Sequence, residues 1–368
     1  MKKSLIALAA LAASGAAMAQ SSVTLYGVVD TGLTYVSGVD NVYGMTHVGG
    51  NVNSRLGFRG VEDLGNGLKA TFNLESGLSA DNGGNYMNEA GLTFNRTSTV
   101  GLAGSFGEVR LGRMLTSSYN AVSRYDAFAD TGLGASRAWA TNTIDLGEPT
   151  QENFGYATRA SNAVSYTSAN YNGFKFGAEY GFGEQKKARD SRYLGLGATY
   201  DNGPLSLGLG FDRLNGDTNN GQAWAVDATS WQLGGAYNFG VAKLMAFYKQ
   251  TKYKDTGLNA NGDSGKFKTF GLGVSAPVGA AGEVKASYNH YRLSAAGAGA
   301  TPKANQLSLG YVHNLSKRTA LYGTASYIAN KKSGGADFAL NSEIANTAGL
   351  KKNGGKQGGV QVGIRHAF

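Results

Sequence analysis

The amino-acid sequence predicts an all-β fold, a 16-stranded antiparallel transmembrane β-barrel with short turns at one end and long loops at the other. Three observations indicate this fold. Apolar and polar residues alternate through most of the chain, short turns alternate with long polar segments, and no window beyond residue 19 approaches 18 consecutive apolar residues. The last observation excludes helical membrane spans, whereas a barrel spreads its apolar surface over every second residue.

Residues 1–19 predict a cleaved signal peptide. Lys2 and Lys3 form a positive start, a short apolar stretch follows, and Ala17-Met18-Ala19 matches a small-residue cleavage site. The apolar stretch is shorter than the roughly 20 residues that a membrane-spanning helix needs. We therefore expect an exported chain with one barrel domain at 20–368.

Alternation with a period of two residues is the strand signal, and the segment 68–78 shows it clearly. One face of this segment carries Leu68, Ala70, Phe72 and Leu74, and the other carries Lys69, Thr71, Asn73 and Glu75. Residues 23–36 alternate in the same way. No segment beyond the signal peptide has a convincing helical period.

The connections between strands differ in length in a regular order. The short turns are predicted near 65–67, 106–107, 171–173, 202–204, 239–240, 280–282 and 314–317. The long polar segments are predicted near 37–54, 79–95, 115–158, 184–191, 214–228, 252–265, 294–303 and 330–356. Seven turns and eight loops join sixteen strands, an arrangement typical of a single-chain outer-membrane barrel with periplasmic turns and external loops.

Composition narrows the function. Glycine supplies 56 of 368 residues, there is no cysteine, and removal of Lys2 and Lys3 lowers the formal net charge from +9 to +7. The missing cysteine excludes disulfides and thiol catalysis. A basic exported chain suggests anionic solutes or a lipopolysaccharide surface as partners, and without a basic helix or arm it does not suggest nucleic acid.

No catalytic or metal-binding motif stands out. The four histidines have no metal-ligand spacing, and no arrangement of serine, histidine and carboxylate rises above chance. We therefore expect neither an enzyme nor a cofactor or metal site. A closed barrel of sixteen strands leaves an aqueous channel, because its lumen is too wide for side chains to fill.

Several segments in order resemble the trimeric porins of Gram-negative betaproteobacteria. They are QSSVTLYGVVDTGL at the predicted mature start, SRLGFRGVEDLGNGLKATFNLE at 54–75, GSFGEVRLGR at 104–113, and the terminal Phe368. The resemblance implies a homotrimeric diffusion pore in the outer membrane whose third external loop folds into the lumen and narrows it. It also implies that Phe368 is the assembly signal for barrel insertion.

The resemblance further implies a basic side of the pore constriction. Arg55, Arg96 and Arg159 match arginines that line the constriction in porin families, and Arg59 matches an additional basic position. Strand alternation independently places Arg55 and Arg59 on the lumen face, since an arginine at mid-bilayer costs several kcal/mol. Weaker candidates are Arg113 and Arg124.

The longest connection, 115–158, is the candidate for the acidic side of the constriction, because structureless loops of this length are usually functional. Asp126 and Asp130 lie early in this loop and are expected to face the lumen. The positions of Asp145, Glu148 and Glu152 are left open between the lumen and bulk water.

Opposed charges across a narrow opening would bias which ions pass. With basic residues in excess, we expect a general porin for small hydrophilic solutes and ions with a mild anion preference. The alternative functions are a substrate-specific channel for phosphate or organic anions and a plugged structural or adhesive barrel without conductance. The alternative to anion preference is that the loop acids neutralise the arginines and leave little selectivity.

The last residues, GGVQVGIRHAF, predict the sixteenth strand, which pairs with the first strand to close the barrel. Val360, Val362, Ile364, His366 and Phe368 are expected to face lipid, with Gln361 and Arg365 on the lumen face. An aromatic ring at Phe368 suits the inner interface of the membrane.

Overall fold

The computed structural model describes residues 22–85, 91–139, 158–184, 191–215, 227–254, 265–295, 301–332, 337–350 and 353–368. The predicted signal peptide at 1–19 lies outside this part of the chain. So do Asp145, Glu148 and Glu152 of the third loop.

Seventeen strands form one antiparallel sheet in the described residues. They are β1 (Ser22–Ser37), β2 (Asn41–Met45), β3 (Arg55–Gly65), β4 (Leu68–Gly77), β5 (Thr97–Gly104), β6 (Gly107–Leu115), β7 (Arg159–Ser168), β8 (Phe174–Gly181), β9 (Tyr193–Asn202), β10 (Leu205–Leu214), β11 (Asp227–Asn238), β12 (Lys243–Lys254), β13 (Gly265–Val278), β14 (Gly282–Ala295), β15 (Lys303–Asn314), β16 (Thr319–Asn330) and β17 (Lys356–Ala367).

Sixteen of these strands, β1 and β3 to β17, form the closed barrel that the sequence predicts. Each pairs with its neighbours in the chain, and β1 also pairs with β17 from Val28↔Ala367 to Ser37↔Gly358. Closure satisfies backbone groups that an open edge would leave unpaired in lipid. The predicted alternation of seven short turns and eight long loops is confirmed.

The loops contain short elements that the alternation pattern did not predict. Strand β2 pairs with the half of β1 that lies next to the first loop. Helix α1 (Ser117–Val122) and a 3₁₀ turn (Ser123–Tyr125) lie in the third loop, and helix α2 (Glu343–Ala348) lies in the eighth. Each helix has six residues, too few for a readable helical period. Among the described residues, no helix is long and apolar enough to cross a membrane.

Apolar residues are exposed on the outer face of the strands, and polar residues on the inner face are buried. On β10, for example, Leu207 and Leu209 are exposed while Asp212 is buried. On β17, Val360, Val362 and Ile364 are exposed and Gln361 is buried, as predicted. The outer face is therefore the lipid-facing surface.

The chain end forms part of the barrel seam. The backbone N–H of Phe368 donates to the Gly27 carbonyl at 3.1 Å, and the Gly27 N–H donates back at 3.2 Å. The aromatic ring of Phe368 lies over Gly27 so closely that a Cβ there would come within 2.4 Å of it. His366 also faces outward and its ring lies 2.8 Å from the Thr319 hydroxyl.

Candidate pore constriction

The third loop runs along the inner wall of the barrel, and inward-facing glycines make room for it. A Cβ at Gly197 would lie 2.2 Å from the Ser117 carbonyl oxygen, and one at Gly208 would lie 2.1 Å from that of Ala121. Further along the loop, contacts of this kind join Tyr125 to Gly234, Ala127 to Gly273, Phe128 to Gly310 and Leu133 to Gly359. The loop thus follows the wall from β8 to β17, which confirms the predicted infolding.

Polar side chains of the wall hold the loop in place. Glu179 of β8 accepts the backbone N–H of Ser117 at 2.9 Å, and Asp212 of β10 accepts the Ser118 hydroxyl at 2.9 Å. Lys249 of β12 donates to the Ala138 carbonyl at 3.0 Å. Each of these charged side chains is buried, so it interacts with the loop and not with the channel water.

The loop residues just before position 140, where the described part of the loop ends, are anchored to β14 and β15. The Tyr291 hydroxyl accepts the Arg137 backbone N–H at 3.0 Å and donates to Gln306 at 2.6 Å. The Gln306 amide donates in turn to the carbonyls of Leu133 and Ala135. These bonds satisfy loop backbone groups that would otherwise be buried without partners.

Asp126 lies inside the loop. Its carboxylate accepts the backbone N–H of Phe128 at 3.0 Å, the N–H of Ser136 at 2.9 Å and the indole N–H of Trp139 at 3.1 Å. Burial raises the pKa of this carboxyl to about 7, although the three donors oppose the shift. Asp126 therefore fixes the loop conformation.

Asp130 also bonds within the loop, since it accepts the hydroxyls of Tyr119 and Thr131. Burial raises the pKa of the Tyr119 phenol, the nearby Asp130 carboxylate raises it further, and the Arg159 charge lowers it. Arg159 lies beside the start of the loop, where the register of the sheet pairs it with Leu115.

Three of the predicted arginines come together on the wall formed by β3 to β5. The register Thr24↔Arg59 and Val28↔Arg55 places both β3 arginines on the inner face. Arg96, just before β5, and Arg55 both approach Glu75 of β4, with N–O distances of 2.6 and 3.7 Å respectively. We call Arg55, Arg59 and Arg96 the arginine wall.

Tyr26 links Arg59 to this group. Its hydroxyl donates to Glu75 at 3.0 Å, and the Arg59 guanidinium carbon lies 5.0 Å from the centre of its ring. Two guanidinium groups thus approach one carboxylate and a third lies over the tyrosine bonded to it, which leaves an excess of positive charge. Arg96 is buried, whereas Arg55 is partly exposed and Arg59 is exposed on the inner face, where the channel water lies.

The remaining arginine candidates hold backbone or acidic partners. Arg159 donates from Nε to the Arg96 carbonyl at 2.9 Å. Arg113 donates to the Asn95 carbonyl and to Ser161, both at 2.6 Å. Arg124 forms an ion pair with Asp201. Arg159 therefore extends the arginine wall toward the loop, while Arg124 is tied to a carboxylate.

Glu75 and Tyr26 are site residues that the sequence reasoning did not single out. The signal was present for both, because alternation places each of them on the polar face of its strand, and β1 and β4 lie on either side of β3. Within the described residues, no group of three or more histidines and carboxylates could hold a metal ion.

Comparisons with known proteins agree with this geometry. A sequence model of the family described as Gram-negative porin matches residues 5–333. Outer membrane porin protein 32 of Delftia acidovorans is 47% identical over 378 residues, covering 100% of both chains. An outer membrane porin protein of Bordetella pertussis is 35% identical, again over 100% of both chains.

Solved structures of porins are similar to this chain in fold. The anion-selective porin from Comamonas acidovorans superposes with a TM-score of 0.79 at 41% identity, covering 95% of this chain and 100% of that one. OmpT of Vibrio cholerae, at 17% identity and a TM-score of 0.66 in its trimer form, covers 95% of this chain and 99% of that one and shares the fold. The arginine-lined, loop-narrowed barrel therefore belongs to the Gram-negative porin family of outer-membrane channels.

Proposed function

We propose that this outer-membrane porin passes small anions in preference to cations, and that the arginine wall is the cause. The observation that carries the proposal is an imbalance of accessible charge among the residues that the structure describes in the barrel wall and the third loop. Arg55 and Arg59 face the channel, whereas the carboxylates of Asp126 and Asp130 accept hydrogen bonds from groups of the third loop. The relative from Comamonas acidovorans is described as anion-selective, which supports the same preference here.

The inner wall acids add to this imbalance. Asp30, Glu179 and Asp212 are buried, and Asp30 accepts three backbone N–H groups of the first loop. Guanidinium groups stay charged at any relevant pH, so the field of the arginine wall persists. Charged groups of one sign lining a constriction bias which ions pass.

Reversal potentials across a salt gradient in planar bilayers test this proposal. We expect an anion-selective potential for the wild type and a shift toward zero for Arg55→Gln with Arg59→Gln. The matched control is Lys252→Gln with Lys266→Gln, which removes the same charge from the outer face. Cation selectivity of the wild type, or equal shifts in both variants, would refute the proposal.

The same recordings distinguish a general porin from a channel specific for phosphate or organic anions. We propose the general porin, for which current rises in proportion to salt concentration. Block of the current by phosphate or a small organic anion that saturates with concentration would instead indicate a specific site.

We further propose that the porin is a homotrimer and that its outer surface contacts outer-membrane lipid and lipopolysaccharide. Resemblance to the trimeric porins supports the first statement, and the exposed apolar outer face supports contact with lipid. Cross-linking of the folded protein tests the assembly, and a trimer is the expected product. Binding of purified lipopolysaccharide to the wild type tests the lipid contact.

A further inference from the structure

Five cations lie on the outer face of β12 to β15, at the ends nearest the long loops. Strand pairing places Lys252 directly opposite Lys266, and it places Lys268, Arg292 and Lys303 side by side on three consecutive strands. We call these five residues the outer basic patch. Paired strands lie about 4.8 Å apart, and rows two residues apart are separated by about 7 Å.

The patch faces outward and not into the channel. On each strand its members alternate with buried residues of the inner face, for example Phe267 and Thr269 on either side of Lys268. Lys252, Lys266 and Arg292 are exposed, and Lys268 and Lys303 are partly exposed. The patch is therefore separate from the arginine wall.

The side chains nearest the patch place it at the membrane interface. On β13, the outward residues toward the turn end are Phe270 and Leu272, both exposed to lipid, and Lys268 comes next toward the loops. On β12, Tyr248 packs against Trp231 of β11 with ring centres 4.9 Å apart, and Lys252 follows four residues later. Aromatic residues mark the interface, so the patch lies at headgroup depth.

The charges of the patch have no protein partner in the part of the chain that the structure describes. None of the five makes an ion pair or a side-chain hydrogen bond there. Lys254 differs, since it lies opposite Asp227. Like charges directly opposite on neighbouring strands repel one another, so this arrangement is destabilising without a bound anion.

We propose that the outer basic patch binds the phosphate groups of a phosphorylated glycolipid of the outer leaflet, namely the lipid A part of lipopolysaccharide. Its phosphates sit at headgroup depth, its acyl chains suit the apolar strand surface beneath the patch, and Arg292 supplies a guanidinium fork for bidentate phosphate contact. The inference rests on the proposed lipopolysaccharide contact and names its site.

The test uses the full protein refolded in detergent, with bis-phosphorylated lipid A as the probe and native mass spectrometry as the measurement. Lys268→Gln with Arg292→Gln should weaken binding about 30-fold, at about 1 kcal/mol per cation. The control, Lys317→Gln with Arg318→Gln, removes one lysine and one arginine from the turn end and should leave the affinity unchanged. The charge-conserving swap Lys268→Arg with Arg292→Lys should retain binding.

The possible outcomes separate this inference from the proposed function. Equal affinities of both double variants, equal affinity for dephosphorylated lipid A, or saturable binding of inorganic phosphate alone at the patch would overturn the inference. Failure of the wild type to bind lipid A would overturn the lipopolysaccharide contact itself. If the double variant does not fold, Arg292→Gln compared with Arg318→Gln gives the same decision. Ion selectivity should not change in any of these variants.

Discussion

Glu75 shows how one carboxylate sets the strength of the arginine wall. Its carboxylate forms ion pairs with Arg96 and Arg55 and also accepts a hydrogen bond from the Tyr26 hydroxyl. Because Arg96 is buried, its charge needs this partner, while Arg59 keeps its charge toward the channel. The carboxylate therefore stabilises the wall and also weakens its field.

Glu75→Gln should raise the preference for anions, because the wall loses the negative charge that offsets part of its field. The increase should be largest at low salt and smaller at high salt, where screening shortens the reach of the field. Reversal potentials at two ionic strengths measure it. Glu62→Gln, an exposed position near the turn end of β3, is the control with the same charge change. An unchanged or lower anion preference would contradict this account of Glu75.

We expect the stability of the folded protein to depend on pH through Asp126 of the third loop. Burial raises the pKa of the folded carboxyl to about 7, compared with about 3.8 in an unfolded chain. Its contribution to stability is therefore fully present below pH 3.8 and is lost as the pH rises through 7. The thermal unfolding midpoint of the wild type, relative to Asp126→Asn, should increase from about pH 8 to about pH 5.

Circular dichroism melts at several pH values measure that difference. Asp40→Asn, at an exposed position of the first loop, is the control for a general change of charge. A wild-type advantage that stays constant with pH would show that Asp126 does not titrate in this range.

At the scale of elements, the third loop and the strands behind it depend on each other. The loop contacts inward glycines on successive strands, and buried wall groups such as Glu179 and Lys249 bond to its backbone. Glycine is required at Gly197 and Gly208 because the loop backbone occupies the space of a side chain there, and loop side chains occupy this space at Gly234 and Gly310. The channel cross-section therefore depends on how closely the loop lies against the wall.

Gly208→Ala should lower single-channel conductance, since the new Cβ would lie 2.1 Å from the Ala121 carbonyl and push the loop toward the channel axis. The control is Gly323→Ala, an outward position where the nearest atom would be 3.8 Å away. Conductance histograms in planar bilayers measure the effect. Equal conductance of both variants would mean that the loop does not control the narrowest part of the pore.

At the scale of the whole molecule, closure depends on the seam between β1 and β17. Ten residue pairs join these strands, and Phe368 extends the ladder to Gly27. The exposed ring of Phe368 lies at the turn end, where an aromatic side chain favours the membrane interface. The last residue therefore contributes both to the ladder and to anchoring.

Deletion of Phe368 should reduce the amount of folded porin in the outer membrane and leave the conductance of the inserted channels unchanged. The heat-modifiable fraction on gels of outer membranes measures insertion. Phe239→Ala, an exposed aromatic at another turn, is the control. Normal amounts of folded porin after the deletion would refute an assembly role for Phe368.

Much of the fold could be predicted because barrel strands carry their signal locally. Alternation along 68–78 and the order of short and long connections predicted every barrel strand, and strand alternation together with the cost of arginine in lipid predicted the inward direction of Arg55 and Arg59. The short helix α1 was not predicted, because it is fixed by the Thr116 cap and by packing against the wall, not by a period of its own.

Patterns along the chain specify the barrel, its closure through the terminal strand and the side of the wall on which each strand residue lies, because a period of two residues and the exclusion of charge from lipid are local properties. The folded barrel alone sets the contact partners. It joined Glu75 to two arginines, directed Asp126 into its own loop, and brought five cations of β12 to β15 together, because these contacts depend on the register between strands and on the path of the loop.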